Sequence, residues 1–231
     1  KFIERVLHGA WSSGNISVGG GMVDMQTVTA VTGRSPQYSL TGKYPANLFG
    51  LEAIGQLETL HYLSDFPNAI AGYSKVLINT NDERIQTLSK LGIGWSYLKL
   101  KQYPQSLGSF SEVNLESLEK KSRDILLLGK GILYLETKRF NEAKNVYDEL
   151  IAAASEPVIL IQAYLGKADA FYSIAEYKEA IAVYKQAQEK SLESVPQEII
   201  DKLHYGLAWA HLKEGEFKEA INEFQGVAKN T

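Results

Sequence analysis

The sequence predicts an all-α fold, a stack of antiparallel helical hairpins preceded by an irregular, partly β-prone N-terminal arm. Two observations lead to it. The stretch 175–187, AEYKEAIAVYKQA, returns at 215–227 as GEFKEAINEFQGV. Each holds an aromatic, an alanine three residues on and a second aromatic four further, a spacing that puts all three on one helix face. The same grammar surrounds Ala69, Ser106, Ala143, Ala180 and Ala220, which are separated by 37, 37, 37 and 40 residues. A fixed period in this range marks a solenoid of helical hairpins.

Composition agrees with that class and excludes others. The chain has 231 residues, 45% of them hydrophobic and 22% charged, enough for a core and ordinary for a globular protein. Its net charge is -3, with Lys and Glu interleaved along the helices, which argues against a nucleic-acid binder. No apolar run reaches the roughly 18 residues of a membrane span, so no membrane insertion is expected. Zero cysteines exclude disulfides and thiolate chemistry and are compatible with an extracytoplasmic setting in a bacterium. Without an initiator Met or a signal-type apolar stretch, Lys1 reads as the edge of a trimmed or mature chain.

Taken in order, residues 1–45 form an arm or linker and residues 46–231 the repeat domain. Lys1 to Ala10 can make a few helical turns, after which Ser12-Ser13-Gly14 and Gly19-Gly20-Gly21 form a flexible or tightly turning joint. Met22 to Thr32 is rich in β-branched residues and reads as a short strand or hairpin. The arm is either a linker from a neighbouring domain or a segment that docks on another chain by β-addition. From Pro45 the helical period begins. Ser155-Glu156-Pro157 and Ser194-Val195-Pro196 each place a capping hydroxyl ahead of a proline suited to a first helical turn, so Pro157 and Pro196 are expected to open helices.

Upstream of each landmark lies a second small residue followed by an aromatic: Gly94 with Tyr97, Gly131 with Tyr134, Ala168 with Phe171, and Ala208 with His211. Together with the Phe or Tyr on either side of Ala69, Ser106, Ala143, Ala180 and Ala220, this resembles the tetratricopeptide repeat family over about five repeats in residues 46–231. The first repeat, with Leu57 and Leu60 in place of the small residue and aromatic, is the most divergent. The period is longer than the family's usual 34 residues, and the extra residues are expected between hairpins, near 114–123 and 152–157. The resemblance implies a right-handed solenoid in which the small residues let helices approach closely while aromatics fill the gaps. Replacing Ala180 by a large residue should overpack its hairpin and cost about 1–3 kcal/mol.

The resemblance also implies which residues are left for function. In the family's register the first helix of each repeat lines a concave surface. Its positions include Leu88, Leu91, Trp95, Leu98 and Lys99 in repeat two and Ile125, Leu128, Ile132, Leu135 and Glu136 in repeat three. Repeat four supplies Gln162, Leu165, Asp169, Tyr172 and Ser173, and repeat five Lys202, Tyr205, Trp209, Leu212 and Lys213. Trp95, Leu98, Ile132, Leu135, Tyr172, Tyr205 and Trp209 would form a hydrophobic stripe, the signature of an interaction site. Three uses stay open: a groove for a peptide or helix with apolar anchors, a core filled by the chain itself, or an oligomer contact. The Lys and Asn clamp by which some family members hold a C-terminal carboxylate is not expected, since its positions carry Leu91, Trp95, Leu128, Ile132, Leu165 and Asp169.

Chemistry-bearing motifs do not emerge, and no catalytic, cofactor-binding or metal-ligating residues are assigned. His204 and His211 are seven residues apart, about 10 Å along a helix, too far to share a metal, and are read as packing residues. Gly92-Ile93-Gly94 and Gly129-Lys130-Gly131 fall inside helices as contact glycines. The expectation is a non-catalytic scaffold for a protein partner. The alternative is a structural subunit that self-assembles through its groove or ends. A periplasmic or envelope-associated setting is favoured over the cytoplasm, because the mildly acidic, cysteine-free, tyrosine-rich composition resembles such family members.

Overall fold

The computed structural model describes residues 64–154, 156–190 and 192–228, together with the short pair β1 (Ser17–Val18) and β2 (Gly21–Met22). β1 and β2 run antiparallel with Ser17 opposite Met22 and Val18 opposite Gly21. The rest of the arm, the strand expected over 23–32, the first helix of repeat one and the 45/46 boundary lie outside the described residues.

Helices account for nearly everything else described, and the sequence is an all-α helical repeat solenoid. They are α1 (Phe66–Asn79), α2 (Glu83–Lys99), α3 (Tyr103–Ser111), α4 (Lys120–Glu136), α5 (Phe140–Ala153), α6 (Pro157–Ser173), α7 (Tyr177–Gln188), α8 (Gln197–Glu214) and α9 (Phe217–Ala228). The landmarks fall where the pattern puts them: Ala69, Ser106, Ala143, Ala180 and Ala220 are all buried on the second helix of a hairpin. Within each hairpin the first and second helices start 20 residues apart, from Glu83 to Tyr103, Lys120 to Phe140, Pro157 to Tyr177 and Gln197 to Phe217. The wider last period is therefore absorbed entirely between hairpins, in the segment joining α7 to α8.

Every hairpin turn uses one backbone device. Ser64, Lys101, Lys138, Ala175 and Gly215 all have positive φ, from 59° to 80°, at equivalent positions just past the first helix. This is the left-handed residue that closes a helix C-terminus. After α2, for instance, Lys101 N–H donates to the Leu98 carbonyl and Gln102 N–H to that of Tyr97. Only Gly215 takes the conformation without steric cost; the other four accept it against the crowding of their own Cβ. Ser64 extends the register to the first repeat, whose first helix is not described.

Contacts divide the chain into two units, Lys1–Gln102 with Ser111–Ser117 and Tyr103–Phe110 with Leu118–Thr231. In the first, α1 packs against α2, and a 3-10 turn at Leu115–Ser117 adds a hydroxyl contact of 2.9 Å between Thr87 and Ser117. Asp82 caps α2 by accepting from the N–H groups of Arg84 and Ile85. In the second unit, α4 with α5, α6 with α7 and α8 with α9 form three hairpins. Neighbouring hairpins meet through α5 on α6 and α7 on α8, and the first helices α4, α6 and α8 also touch in sequence.

The joints between hairpins follow a rule that the small-residue landmarks only partly capture. The second aromatic of one hairpin lies on a glycine of the next first helix: Tyr73 on Gly92, Tyr147 on Gly166 and Tyr184 on Gly206, where an added Cβ would come within 2.6 Å of the Tyr184 hydroxyl oxygen. Tyr147 is also held by Gly131 of its own hairpin, where an added Cβ would lie 2.5 Å from the ring. These three tyrosines are buried, so the rings cannot swing away.

One expectation about helix starts is corrected. Pro157 opens α6 as anticipated, but the residue at its N-cap is Glu156, which makes no side-chain cap bond. Pro196 is itself the N-cap of α8 at φ -56° and ψ 138°, and Ser194, two residues further back, makes no cap bond. The extended ψ of Pro196 places the first helical turn after it.

Candidate functional site

The seven stripe residues do not share one environment. Trp95 and Leu98 on α2 are buried, Trp95 only 2% exposed, so the expectation of an open surface is corrected for this pair. The cause is visible along α2: from Thr87 to Trp95 every residue except Lys90 is buried, so the helix is enclosed on all sides rather than on one stripe. Ile132 and Leu135 on α4 and Tyr172 on α6 are half-buried. Tyr205 and Trp209 on α8 are open, at 52% and 37%.

Tyr205 and Trp209, four residues apart on one face of α8, build an aromatic cluster with Phe224 of α9. Ring centroids are 6.2 Å apart for Tyr205–Trp209, 5.9 Å for Tyr205–Phe224 and 5.9 Å for Trp209–Phe224, all edge to face. Edge-to-face packing fixes the rings while leaving their outer faces to solvent. On α6, Tyr172 meets Tyr177 edge to face at 5.2 Å.

The same helices carry a polar group that sequence reasoning placed on the surface without a role. Asp169 is exposed, yet desolvation by the surrounding protein raises its pKa, against the lowering pull of the Tyr184 hydrogen bond and of Lys202. Tyr184 Oη donates to Asp169 Oδ1 at 2.5 Å. Burial, with Asp169 next in effect, pushes the Tyr184 hydroxyl far above the usual tyrosine range, so it stays a donor. Lys202 is likewise exposed and has its pKa lowered by desolvation, while Glu198, 3.7 Å away, and Asp169 oppose that shift. Groups that water reaches but protein crowds are the electrostatic mark of a recessed surface.

Other polar contacts are structural. His204 Nδ1 lies 2.5 Å from Glu223 Oε2, with Gln188 Nε2 also reaching Glu223, which ties α7, α8 and α9 together. His211 is buried, as its packing role requires, and its Nδ1 meets Glu216 Oε2 at 2.5 Å across the hairpin turn. Sequence reading found the burial of His211 from its aromatic position; it missed both carboxylate partners, because a second helix in contact is invisible in one helix's period. Among the described residues, no group of His, Cys, Asp or Glu is placed to hold a metal ion. No helix among them is long and apolar enough to cross a membrane.

Comparison with known proteins now defines the class. Residues 128–196 match the tetratricopeptide repeat family model. Nearly identical repeats of the same type from a putative kinesin light chain of Podosopora anserina superpose with a TM-score of 0.63 at 14% identity, over 81% of this chain and 96% of that one. The apo form of RapI gives 0.63 at 12% identity, over 88% of this chain and 57% of that one. A tetratricopeptide repeat protein from Parabacteroides merdae gives 0.55 at 18%, over 89% and 69%. A search of curated proteins found no match. The chain is a tetratricopeptide repeat protein, a fold that serves generally as a scaffold for protein–protein interaction and is typically non-catalytic.

Proposed function

We propose that this chain is a non-catalytic scaffold that binds a peptide or helix of a partner protein on the first-helix surface of its C-terminal repeats. Tyr205 and Trp209 are the anchors, and Tyr172, Ile132 and Leu135 flank them. Trp95 and Leu98 serve by packing. The observation that carries the reading is the exposed aromatic cluster on α8, since Trp and Tyr held rigidly at a surface are the residues that dominate binding hot spots. A double variant, Tyr205→Ala with Trp209→Ala, tests it. It should keep the helical circular dichroism of the parent chain and lose the partner retained by the parent in a comparative pull-down. An unfolded double variant would make the two rings core and overturn the reading.

A second reading has its own observation. On α9, Phe217 and Ile221 are 62% and 55% exposed, whereas Ile181, the equivalent of Ile221 one repeat earlier, is 8% exposed beneath the next hairpin. Such an end face suits self-assembly. Light scattering over a concentration series separates the two readings: a monomer favours the scaffold, whereas an oligomer dispersed by Ile221→Glu favours assembly through α9.

A further inference from the structure

We propose that the Asp169 face of α6 receives a basic side chain, an arginine or lysine of the partner peptide, while the peptide's apolar residues lie on Tyr205 and Trp209. The inference rests on the scaffold reading and adds the chemistry of its ligand. Asp169 occupies the position held by Trp95, Ile132 and Trp209 in the other repeats, and it is the one acid in that series. Its carboxylate is open to solvent, and among the described residues it has one side-chain hydrogen-bond donor, Tyr184, and no ion pair.

The neighbouring groups point the same way. Gln162, two helical turns earlier on the same face of α6, is buried with its Oε1 accepting nothing among the described residues, so a second acceptor waits for a donor. Tyr172 and Tyr205 lie close enough to act on each other electrostatically, and tyrosine faces favour cations. Lys202, the cation that acts on Asp169, is paired with Glu198 at 3.7 Å, leaving two carboxylates to one ammonium. Acceptors and π faces without a matching surplus of donors complement an arginine or lysine and oppose an acidic peptide.

The test uses the full chain against an array of random synthetic dodecapeptides, followed by a thermodynamic cycle on the strongest binder. The array should enrich Arg or Lys flanked by apolar residues. The chosen peptide is then compared with its citrulline analogue, which keeps the shape of arginine and loses the charge, on the parent chain and on Asp169→Asn. The arginine peptide should bind Asp169→Asn about tenfold more weakly than the parent, and the citrulline peptide should bind both alike. Tyr184→Phe, which removes the hydroxyl and keeps the carboxylate, should retain the arginine preference; losing it there too would make Asp169 a structural group. Strong binders without basic residues, or an arginine-to-citrulline loss equal in both proteins, would overturn the inference while leaving the aromatic surface intact. A Tyr205→Ala/Trp209→Ala variant that binds every peptide as the parent does, or an array without binders, would instead remove the scaffold reading beneath it.

Discussion

Trp95 and Trp209 are the same residue at the same position of two repeats, one on α2 in the first unit and one on α8 in the second. One is 2% exposed and the other 37%. Nothing in the two helices themselves distinguishes a core tryptophan from a surface one; the neighbours decide. α2 is buried around almost its whole circumference. α8 buries a stripe, Ile199, Leu203, Leu207 and His211 with Ala208 and Ala210, and leaves the face of Tyr205 and Trp209 open. A repeat position in a solenoid therefore specifies a direction, and its environment is set by what lies in that direction.

The comparison can be broken most easily at its buried end. Trp95→Ala should cost about 3–5 kcal/mol, the usual loss for deleting a large buried aromatic, read as a lower midpoint in urea unfolding. Trp209→Ala should cost about 1 kcal/mol or less, because water already covers part of the ring and only its edge-to-face contacts are lost. Equal costs would erase the distinction between the two helices.

The hairpin joints come next in size. Gly166→Ala should destabilise by about 1–3 kcal/mol, since its methyl would meet the Tyr147 ring, which is itself fixed by burial and by Gly131. Gly108→Ala on α3 meets nothing within 4 Å and should be neutral or stabilising by up to about 1 kcal/mol through helix propensity. At the turns, Lys138→Gly should stabilise by about 0.5–1 kcal/mol by relieving a left-handed residue at φ 59°, and Gly215→Ala should do the reverse. Thermal unfolding of the four variants checks both sets.

The smallest effect belongs to Asp169. Its pKa is raised in the folded protein, chiefly by desolvation, so the native state holds its proton more tightly than the unfolded chain. The stability this group contributes is thus present at low pH and lost as pH rises through the folded value. Asp169→Asn, which still accepts from Tyr184, should raise the melting temperature slightly at neutral pH, on the order of 1 °C because water screens an exposed carboxylate. The gain should shrink as the pH falls toward the carboxylate range. A parent chain equally stable at every pH would mean that Asp169 is not crowded by protein.

How far the sequence reached follows the same logic. Ala69, Ser106, Ala143, Ala180 and Ala220 were legible because a close helix crossing demands a small residue whatever surrounds it. Tyr205 and Trp209 were legible as a surface for the converse reason: the packing pattern makes no demand there. Trp95 and Leu98 were misplaced because enclosure by neighbours has no local signature. The tyrosine-on-glycine joints have a signature, a glycine 19 residues after Tyr73 and after Tyr147, and 22 after Tyr184, but it couples two hairpins and a single-helix period does not register it. The left-handed turns hid behind Ser64, Lys101, Lys138 and Ala175, residue types that seldom announce such a conformation.

Those five equivalent turns, with the constant 20-residue step inside each hairpin, make the hairpin a unit of fixed length and the connection between hairpins the adjustable part. The chain already exercises that freedom between Gln188 and Gln197, where the longer last period is accommodated. An epitope, a fluorophore-bearing loop or a protease site spliced there would travel with the fold, whereas a single residue added between Ser173 and Tyr177 would rotate one helix out of step with its partner.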